Sequence, residues 1–462
     1  MEIKDISRVY FAGIGGIGMA ALARYFMFIG RKVAGYDRTP SHLTDELIRE
    51  GAAVSFDDSM DAVPLPFRSP EGTLVVYTPA VPAANVPLTF FRDNGFEVRK
   101  RAAVLGSITR DSKSICFSGT HGKTTTSSMC AHYLKLTPDG CNAFLGGILR
   151  PYDTNLLLSD RSEFSVVEAD EYDRSFHQLT PYIAVVNATD PDHLDIYGTE
   201  EAYLESFAHF TELIRPDGFL LMRTGLKLRP RVPEGVKVFT FGRDEGDYHA
   251  ANVRTADGTI TFDFVYPGGT VTDIQLGVPV DINILNAVSA LGAVHLAGQL
   301  DDVTARRAMS SFKGVERRFE FHLKEQGPDG RVVIDDYAHH PDEVRSSIAS
   351  VRALYPRRRL TVAFQPHLYT RTRDFAPQFA EALSQADEVI LIDIYPAREA
   401  PIPGVTSKII FDRVKCASKL MIPKEDFVDT MKNRKFEVLL TLGAGDLSLE
   451  VPRLVSEVTD EK

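Results

Sequence analysis

The chain has 462 residues, 44% of them hydrophobic, which is enough for about two to four domains with separate cores. Its 52 Lys and Arg residues against 63 Asp and Glu residues give a formal net charge of −11. This balance argues against a general nucleic-acid-binding surface, while a local basic pocket stays compatible with it.

The cysteines and the apolar stretches indicate in which cellular compartment the protein works. Four cysteines form no C-x-x-C pair, so we expect neither a zinc site nor a disulfide framework, and reduced thiols fit a cytosol. The polar start of the chain is unlike a signal peptide, and the apolar stretch 13–30 contains Arg24 and five glycines, unlike a membrane span. We therefore expect a cytoplasmic protein without membrane insertion.

The first motif is a glycine turn. A predicted strand at 8–12 runs into G-x-G-x-x-G starting at Gly13, a helix follows, and a second predicted strand at 32–36 ends at Asp37. Alone, the pattern indicates a dinucleotide-binding Rossmann unit. A broader interpretation is a site for any pyrophosphate, including that of a UDP-sugar, because a glycine turn at a helix N-terminus binds the phosphates and the carboxylate accepts hydrogen bonds from a sugar or base.

A second glycine turn, Gly119 to Gly122, lies between a predicted strand at 114–117 and a helix. Glycines let backbone N–H groups converge on a phosphate, Lys123 can reach the outer phosphates, and the Thr124 hydroxyl can bind Mg²⁺. The gap of two residues between the glycines is shorter than in the standard phosphate loop. The strand–turn–helix context nevertheless predicts nucleotide phosphate binding, since a plain turn leaves three consecutive threonines unexplained.

Acidic segments follow the next two predicted strands. The strand at 164–169 ends in the run 168–173, where four acids in six residues repel one another unless a cation is present. A carboxylate at a strand end after an upstream phosphate loop is typical of a Mg²⁺ site. The strand at 182–188 leads to His193, which is a metal ligand, a proton-transfer group or a structural histidine.

Two further features have two interpretations each. The amides of Asn283 and Asn286, at a helix predicted over 284–296, are suited to hydrogen-bonding a base edge or to helix capping. Arg317 and Arg318 lie between aromatic residues, which indicates a phosphate contact or a pair of surface salt bridges.

Polar and aromatic residues recur at strand ends in the last third of the chain. The segments are Asp335–Pro341, Gln365–Arg373, Asp393–Ala397 and Gly443–Asp446. In an open α/β sheet, ligands bind at the carboxyl ends of strands, so we expect a doubly wound, ligand-binding domain.

Five ordered motifs of this chain resemble those of the Mur ligases: Gly-Thr-His-Gly-Lys-Thr at 119–124, the Glu168 segment, Asp192-His193, Arg317-Arg318 and Asp336-Tyr337-Ala338-His339-His340-Pro341. The resemblance runs from the Gly13 loop to the Gly443 loop. It implies an α/β protein of three domains: a UDP-binding Rossmann-like domain (1–110), a central P-loop ATPase α/β domain with extra β-strands (111–314), and an amino-acid-binding Rossmann-like domain (315–462).

The resemblance also implies a reaction. We expect an ATP-dependent ligase of peptidoglycan precursor synthesis that joins L-alanine to the muramate carboxylate of UDP-N-acetylmuramate through an acyl phosphate. ATP and Mg²⁺ would be its cofactors, no nucleic acid would be bound, and the protein would be a monomer or weak homodimer. The alternative is a ligase that attaches a recycled murein tripeptide to the same nucleotide. A nicotinamide-dependent dehydrogenase is more remote because it leaves the Lys123 loop without a role. A non-catalytic sensor of UDP-precursors or ATP is more remote because the chain retains Lys123, Glu168 and His193.

The resemblance assigns roles residue by residue. UDP would contact Gly15, Gly16, Gly18 and Asp37. ATP would contact Gly119, Thr120, His121, Gly122, Lys123, Thr124, Thr125, Asn286, Arg318 and Asp336. The metal would be held by Thr124, Glu168 and His193, and L-alanine by Tyr337, His339 and Arg371. The catalytic residues would be Lys123, His193, Arg318 and His339, with His193 or His339 as the base for the amine.

Three positions depart from the family pattern. Leu368 stands where members often have arginine, so we expect the alanine carboxylate to depend more on Arg371. The segment 279–283 lacks the histidine that many members place there, so histidine stacking on adenine is not expected. No lysine lies between His193 and Lys227, which argues against the carbamylated lysine of several sister ligases.

Overall fold

The computed structural model describes residues 2–192, 194–256, 258–325, 327, 330–397 and 399–460. The chain divides into two compact units. Their segments are Met1–Asn252, Phe262–Ile274 and Ile284–Met309 in the first unit, and Val253–Thr261, Gln275–Asn283 and Ser310–Lys462 in the second.

The first unit begins with a five-stranded parallel sheet in the order β3-β2-β1-β4-β5. Its strands are β1 (Arg8–Ala12), β2 (Lys32–Tyr36), β3 (Ala53–Ser55), β4 (Thr73–Tyr77) and β5 (Glu97–Lys100). The helices around it are α1 (Ile17–Phe28), α2 (His42–Arg49), α3 (Val86–Asp93) and α4 (Arg101–Arg110). The central strand β1 is buried from its second residue onward, as expected for a parallel sheet covered on both faces.

A seven-stranded sheet follows in the order β12-β11-β10-β6-β9-β7-β8, with β8 antiparallel to β7. Its strands are β6 (Lys113–Ser118), β7 (Asn142–Leu149), β8 (Thr154–Leu157), β9 (Phe164–Glu168), β10 (Ile183–Val186), β11 (Phe219–Arg223) and β12 (Lys237–Phe241). Its helices are α5 (Lys123–Lys135), α6 (Leu194–Tyr197) and α7 (Glu200–Glu212). The strand β6 pairs in parallel with β9 and β10, so the residues that follow these three strands lie at one edge.

A three-stranded sheet and two helices complete the middle of the chain. They are β13 (His249–Ala256), β14 (Thr259–Tyr266), β15 (Gly269–Gln275), α8 (Ile282–Leu296) and α9 (Asp302–Ser311).

The second unit contains a six-stranded sheet in the order β16-β17-β21-β18-β19-β20, parallel except for β16. Its strands are β16 (Glu320–Lys324), β17 (Val332–Asp336), β18 (Leu360–Phe364), β19 (Glu388–Ile392), β20 (Ser418–Ile422) and β21 (Val438–Leu442). Its helices are α10 (Pro341–Leu354), α11 (Tyr369–Leu383), α12 (Lys408–Phe411), α13 (Phe427–Lys432) and α14 (Val451–Asp460).

The predicted α/β class is confirmed, and most predicted strands match the observed ones within two residues, because buried parallel strands are continuous apolar runs in sequence. Among the described residues, no helix is both long and apolar enough to span a bilayer.

Candidate functional site

The turn after β6 has a backbone that only glycine accepts easily. Gly119 has a φ of +129° and Gly122 a φ of +83°, both in the region that disfavours side chains. A Cβ on Gly119 would lie 2.7 Å from the backbone nitrogen of Ala188, so the turn packs directly against the end of β10. The helix α5 starts at Lys123, which gives the turn the amides and dipole of a helix N-terminus.

Lys123 is held inside this turn. Its Nζ donates to the carbonyl oxygen of Gly119 and to Oε1 of Glu171, both at 2.8 Å. The acid-rich run after β9 therefore does meet a cation, and that cation is the lysine of the glycine turn.

Glu168 ends β9 next to the same turn. Its carboxylate accepts a hydrogen bond from the N–H of Gly146 at 3.0 Å, and the Thr124 hydroxyl lies close enough to oppose the effect of burial on its pKa. Burial raises the pKa of Glu168 above its usual value. A Cβ on Gly146 would collide with the carboxylate, so Glu168 reaches this position because residue 146 has no side chain.

The donors around Glu168 fit a hard divalent cation. A carboxylate and a hydroxyl are oxygen ligands of the kind that Mg²⁺ prefers, and the two groups are already in contact. Among the described residues, no three His, Cys, Asp or Glu side chains form a metal-binding group. The predicted ligand His193 lies outside the described residues.

Asn286 of α8 lies against the turn 119–122. Its Oδ1 is 3.1 Å from where a Cβ of Gly122 would stand. Asn187 lies beside it, donating to the Thr126 hydroxyl at 2.8 Å and accepting from Ser289 at 2.9 Å. The structure thus brings Asn286 together with the segment 119–124. Within or next to that segment, His121 is exposed, and Thr120 and Thr125 are half-buried.

The glycine turn after β1 is shaped by Asp37. The carboxylate accepts a hydrogen bond from the N–H of Gly15 at 2.8 Å, so the acid at the end of β2 closes the turn itself. Gly16 caps α1 and Gly18 lies in its first turn. All four predicted UDP-binding residues therefore lie together at the carboxyl edge of the first sheet.

Arg101 was not predicted as a site residue. The space where a Cβ of Gly18 would stand is 3.0 Å from its Nη1. Arg101 lines a cavity of about 260 Å³ together with Gly18, Gly146, Asn155, Glu168 and Asp170. The cavity connects the first glycine turn with Glu168. The position of Arg101 directly after β5, at a strand end, was the signal in the sequence.

A larger cavity, of about 720 Å³, lies elsewhere in the first unit. Its lining includes Lys113, which begins β6, and Glu163, which precedes β9. It therefore lies at the amino ends of these strands, away from Lys123 and Glu168.

The two adjacent arginines of the second unit have different surroundings. Arg317 donates through Nη2 to the carbonyl oxygens of Gly443 and Gly445, at 2.7 and 2.8 Å, and its guanidinium lies 4.8 Å from the Tyr337 ring centre. Arg318 is exposed, with its guanidinium 5.5 Å from the same ring. Arg317 thus ties its own loop to the segment after β21, while the predicted phosphate contact of this pair stays a prediction.

Asp336 is engaged by the protein on both oxygens. The Ser347 hydroxyl donates to Oδ2, and the N–H of Phe319 donates to Oδ1 at 3.3 Å. Its neighbour Asp335 points to the other face of the sheet and accepts a hydrogen bond from the Thr441 hydroxyl. Burial raises the pKa of Asp335 to about 6.

His339 is oriented by two acceptors. Its Nδ1 lies 3.0 Å from the carbonyl oxygen of Tyr337 and 3.4 Å from the Glu343 carboxylate, so Nδ1 carries a hydrogen. Burial lowers the pKa of His339, which favours the neutral ring with a lone pair on Nε2.

His367 extends this cluster and was not predicted. Its ring stacks on Tyr395 at 5.8 Å, its centre lies 6.0 Å from that of His339, and its Nδ1 is 3.5 Å from Nη1 of Arg371. Burial lowers the pKa of His367 to about 4. The next residue, Leu368, has a φ of +69°, an uncommon conformation for a bulky residue, and it caps α11, whose first turn carries Arg371.

Three domain-family models together match most of the chain. Residues 8–113 match the Mur ligase family catalytic domain, 117–294 the Mur ligase middle domain, and 317–448 the Mur ligase glutamate ligase domain.

Close relatives have the same extent. The UDP-N-acetylmuramate–L-alanine ligase of Phocaeicola vulgatus is 56% identical over 455 residues, 98% of each chain. That of Parabacteroides distasonis is 56% identical over 461 residues, 100% of this chain and 98% of the relative. The crystal structure of UDP-N-acetylmuramate-alanine ligase from Thermotoga maritima superposes with a TM-score of 0.78 at 27% identity, covering 98% of this chain and 100% of that one.

We expect Arg317→Ala and Arg318→Ala to separate a structural arginine from a functional one. Arg317→Ala leaves two loop carbonyls without their donor and should lower the free energy of unfolding by about 2–3 kcal/mol. Arg318→Ala, at an exposed side chain, should change it by less than about 0.5 kcal/mol. Urea denaturation measures both. Equal destabilisation by the two variants would contradict the distinction.

We expect Gly146→Ala to displace Glu168 without straining the backbone. Since supporting residues around a metal ligand typically affect metal affinity by about 10–100-fold, the gain in ATP affinity that Mg²⁺ provides should fall by at least about tenfold. Calorimetric titration with ATP, in Mg²⁺ and in EDTA, measures this gain. Glu168→Gln serves as the matched variant and should act in the same direction, and a Gly146→Ala protein with the wild-type Mg²⁺ response would refute the steric argument.

Proposed function

The chain belongs to the Mur ligase family, and on that premise we propose that it joins L-alanine to the carboxylate of UDP-N-acetylmuramate in an ATP-driven reaction of peptidoglycan precursor synthesis. The observation that carries the proposal is the grouping of Lys123, Thr124 and Glu168 around one glycine turn at a helix N-terminus. Such a turn is suited to binding the phosphates of a nucleotide. The close relatives named for the L-alanine reaction favour it over the tripeptide ligase.

The chemistry begins with the muramate carboxylate, which is a poor electrophile because its charge repels nucleophiles. Its oxygen attacks the γ-phosphorus of ATP, the bond to the β-phosphate oxygen breaks, and ADP leaves with that electron pair. The amine of L-alanine then attacks the carbonyl carbon of the acyl phosphate, and phosphate departs as the amide forms. The protein contributes mainly positioning and charge neutralisation.

Lys123 and the amides of the turn 119–122 would hold the phosphates and offset their charge. Thr124 and Glu168 would hold Mg²⁺, as their contact and oxygen chemistry suit it, and His193 is the further ligand we propose. The bound cation would neutralise phosphate charge during transfer.

In the C-terminal domain, Tyr337, His339 and Arg371 are proposed for L-alanine. The Arg371 guanidinium would pair with the amino-acid carboxylate. The lone pair on Nε2 of His339 suits it to take the proton that the amine loses, as does the alternative base His193. Arg318, Asp336 and Asn286 are kept as proposed ATP contacts.

In the first unit, Gly15, Gly16, Gly18 and Asp37 are proposed for the UDP moiety. Arg101 is added here as an anion-binding residue, because the cavity that it lines extends from this turn toward Glu168. A sugar nucleotide lying in that cavity would present its pyrophosphate to Arg101 and its lactyl carboxylate toward the phosphate turn.

Other features stay predictions: the domain limits at 110/111 and 314/315, a monomeric or weakly dimeric state, and a cytoplasmic location.

The reaction itself is tested by phosphate release. Purified protein with UDP-N-acetylmuramate, ATP and Mg²⁺ should release phosphate only when an acceptor is added. We expect L-alanine to give the highest kcat/KM among L-alanine, glycine and L-serine.

The same assay with L-Ala-γ-D-Glu-meso-diaminopimelate decides between the two ligases. Faster turnover with the tripeptide than with L-alanine would support the alternative, and no turnover with any acceptor would refute both.

We expect Arg101→Ala to weaken the sugar nucleotide specifically. Loss of one charge-assisted contact, about 1.5–3 kcal/mol, should raise the KM for UDP-N-acetylmuramate roughly 10–100-fold. A contact made equally to substrate and transition state leaves kcat almost unchanged. Steady-state kinetics measure both constants, with Arg92→Ala, an exposed arginine of the same sheet domain, as the control. An unchanged KM for the sugar nucleotide would remove Arg101 from the site.

A further inference from the structure

Glu171 is a buried acid beside the glycine turn 119–122. Its side chain is 1% exposed, and its Oε1 accepts the hydrogen bond from Lys123 at 2.8 Å. Its other oxygen, Oε2, is buried and has no hydrogen-bond partner among the described residues. Lys123 therefore provides the main compensation for the burial of this carboxylate.

The backbone around Glu171 is held by hydrogen bonds and contains two residues in an uncommon conformation. Its carbonyl oxygen accepts hydrogen bonds from the Tyr197 hydroxyl at 2.5 Å and from the N–H of Arg174 at 3.0 Å. Asp173 and Arg174 have φ values of +51° and +54°, two successive non-glycine residues in the left-handed region. Such a conformation costs about 1–3 kcal/mol per residue and persists only where the surroundings enforce it, often at functional sites.

The ammonium group of lysine has three N–H donors in a tetrahedral arrangement. Two N–H groups of Lys123 donate to the Gly119 carbonyl and to Glu171, and the fold sets the directions of these two hydrogen bonds. The direction of the third N–H follows from the other two. A lysine anchored in this way differs from a flexible surface lysine, whose four-carbon side chain samples many rotamers.

We propose that Glu171 is a positioning residue, which together with the Gly119 carbonyl fixes the Lys123 ammonium so that its remaining N–H addresses the phosphoryl group in transfer. This inference rests on the proposed function. Phosphate affinity alone would be served better by an unpaired lysine, because a buried carboxylate repels a triphosphate. A fixed donor instead requires no reorganisation in the transition state, which is where preorganised groups act.

The test compares Glu171→Ala, which removes the acceptor, with Glu171→Gln, which keeps an acceptor oxygen of the same reach. The control is Asp173→Asn, which changes an exposed acid of the same loop. We expect Glu171→Ala to lower kcat by about 100-fold, the scale of losing one preorganised donor, with the KM for ATP changed by less than about threefold. Glu171→Gln should recover kcat to within about tenfold of wild type, and the control should match wild type. Thermal unfolding of each variant gives the folded fraction by which kcat is corrected.

A second readout does not depend on turnover. In the protein without substrates, an amine-reactive ester should label Lys123 at least about tenfold faster in Glu171→Ala than in wild type, since the amine is no longer held against the buried carboxylate and is more accessible. Peptide mass spectrometry measures the rate, with exposed lysines as internal standards.

The outcomes are distinct. Wild-type kcat in Glu171→Ala, a kcat loss fully explained by unfolding, or a change in the KM for ATP alone would overturn the positioning role. Unchanged labelling of Lys123 would overturn the anchoring itself. A wild-type protein without turnover, together with faster labelling in Glu171→Ala, would refute the proposed function while leaving the anchoring of Lys123 in place.

Discussion

The parallel pairing of β6 with β9 and β10 is the constraint on which the first unit's site depends. Parallel neighbours end at the same edge, so the turn after β6, the acid that ends β9 and the backbone after β10 come within contact distance. The approach of Gly119 to Ala188 shows how closely the segments pack, because a single methyl group there would collide with the backbone. Residues about 45 to 70 positions apart in sequence thereby become one chemical environment.

That environment balances charge at short range. The half-buried Lys123 and Glu168 and the buried Glu171 are each destabilising alone, and they are tolerated because each finds a partner. Lys123 pairs with Glu171, and Glu168 accepts a hydrogen bond from the N–H of Gly146 and lies beside the Thr124 hydroxyl. Burial raises the pKa of both acids, so a cation arriving at this edge favours their ionised form. These surroundings support the proposal that a cation and a phosphate bind at this edge.

The second unit follows the same rule with different residues. Its strand ends carry Asp336, His367 and Gly443. Arg317 ties its loop to the segment after β21 by hydrogen bonds to the carbonyl oxygens of Gly443 and Gly445. Neighbouring residues therefore have different surroundings. Arg317 and Asp335 are turned into the protein, whereas Arg318 is exposed and His339 keeps one ring nitrogen free of these acceptors.

The sequence by itself determined the α/β class, most strand positions and the two glycine turns, because apolar runs, glycines at tight turns and polar residues at strand ends are local signals. It also placed Lys123, Thr124, Glu168 and Asp37 at strand ends. Only the tertiary structure decided which of several acids meets Lys123 and that the Asp37 carboxylate accepts the hydrogen bond of the Gly15 N–H. It also decided that Arg317 ties two loops together, that Arg101 lines the cavity beside Glu168, and that His367 lies beside His339 and Arg371. Each of these depends on the direction of a side chain and on a partner distant in sequence. Neither is encoded in periodicity or spacing, and both are set by the packing of the folded chain.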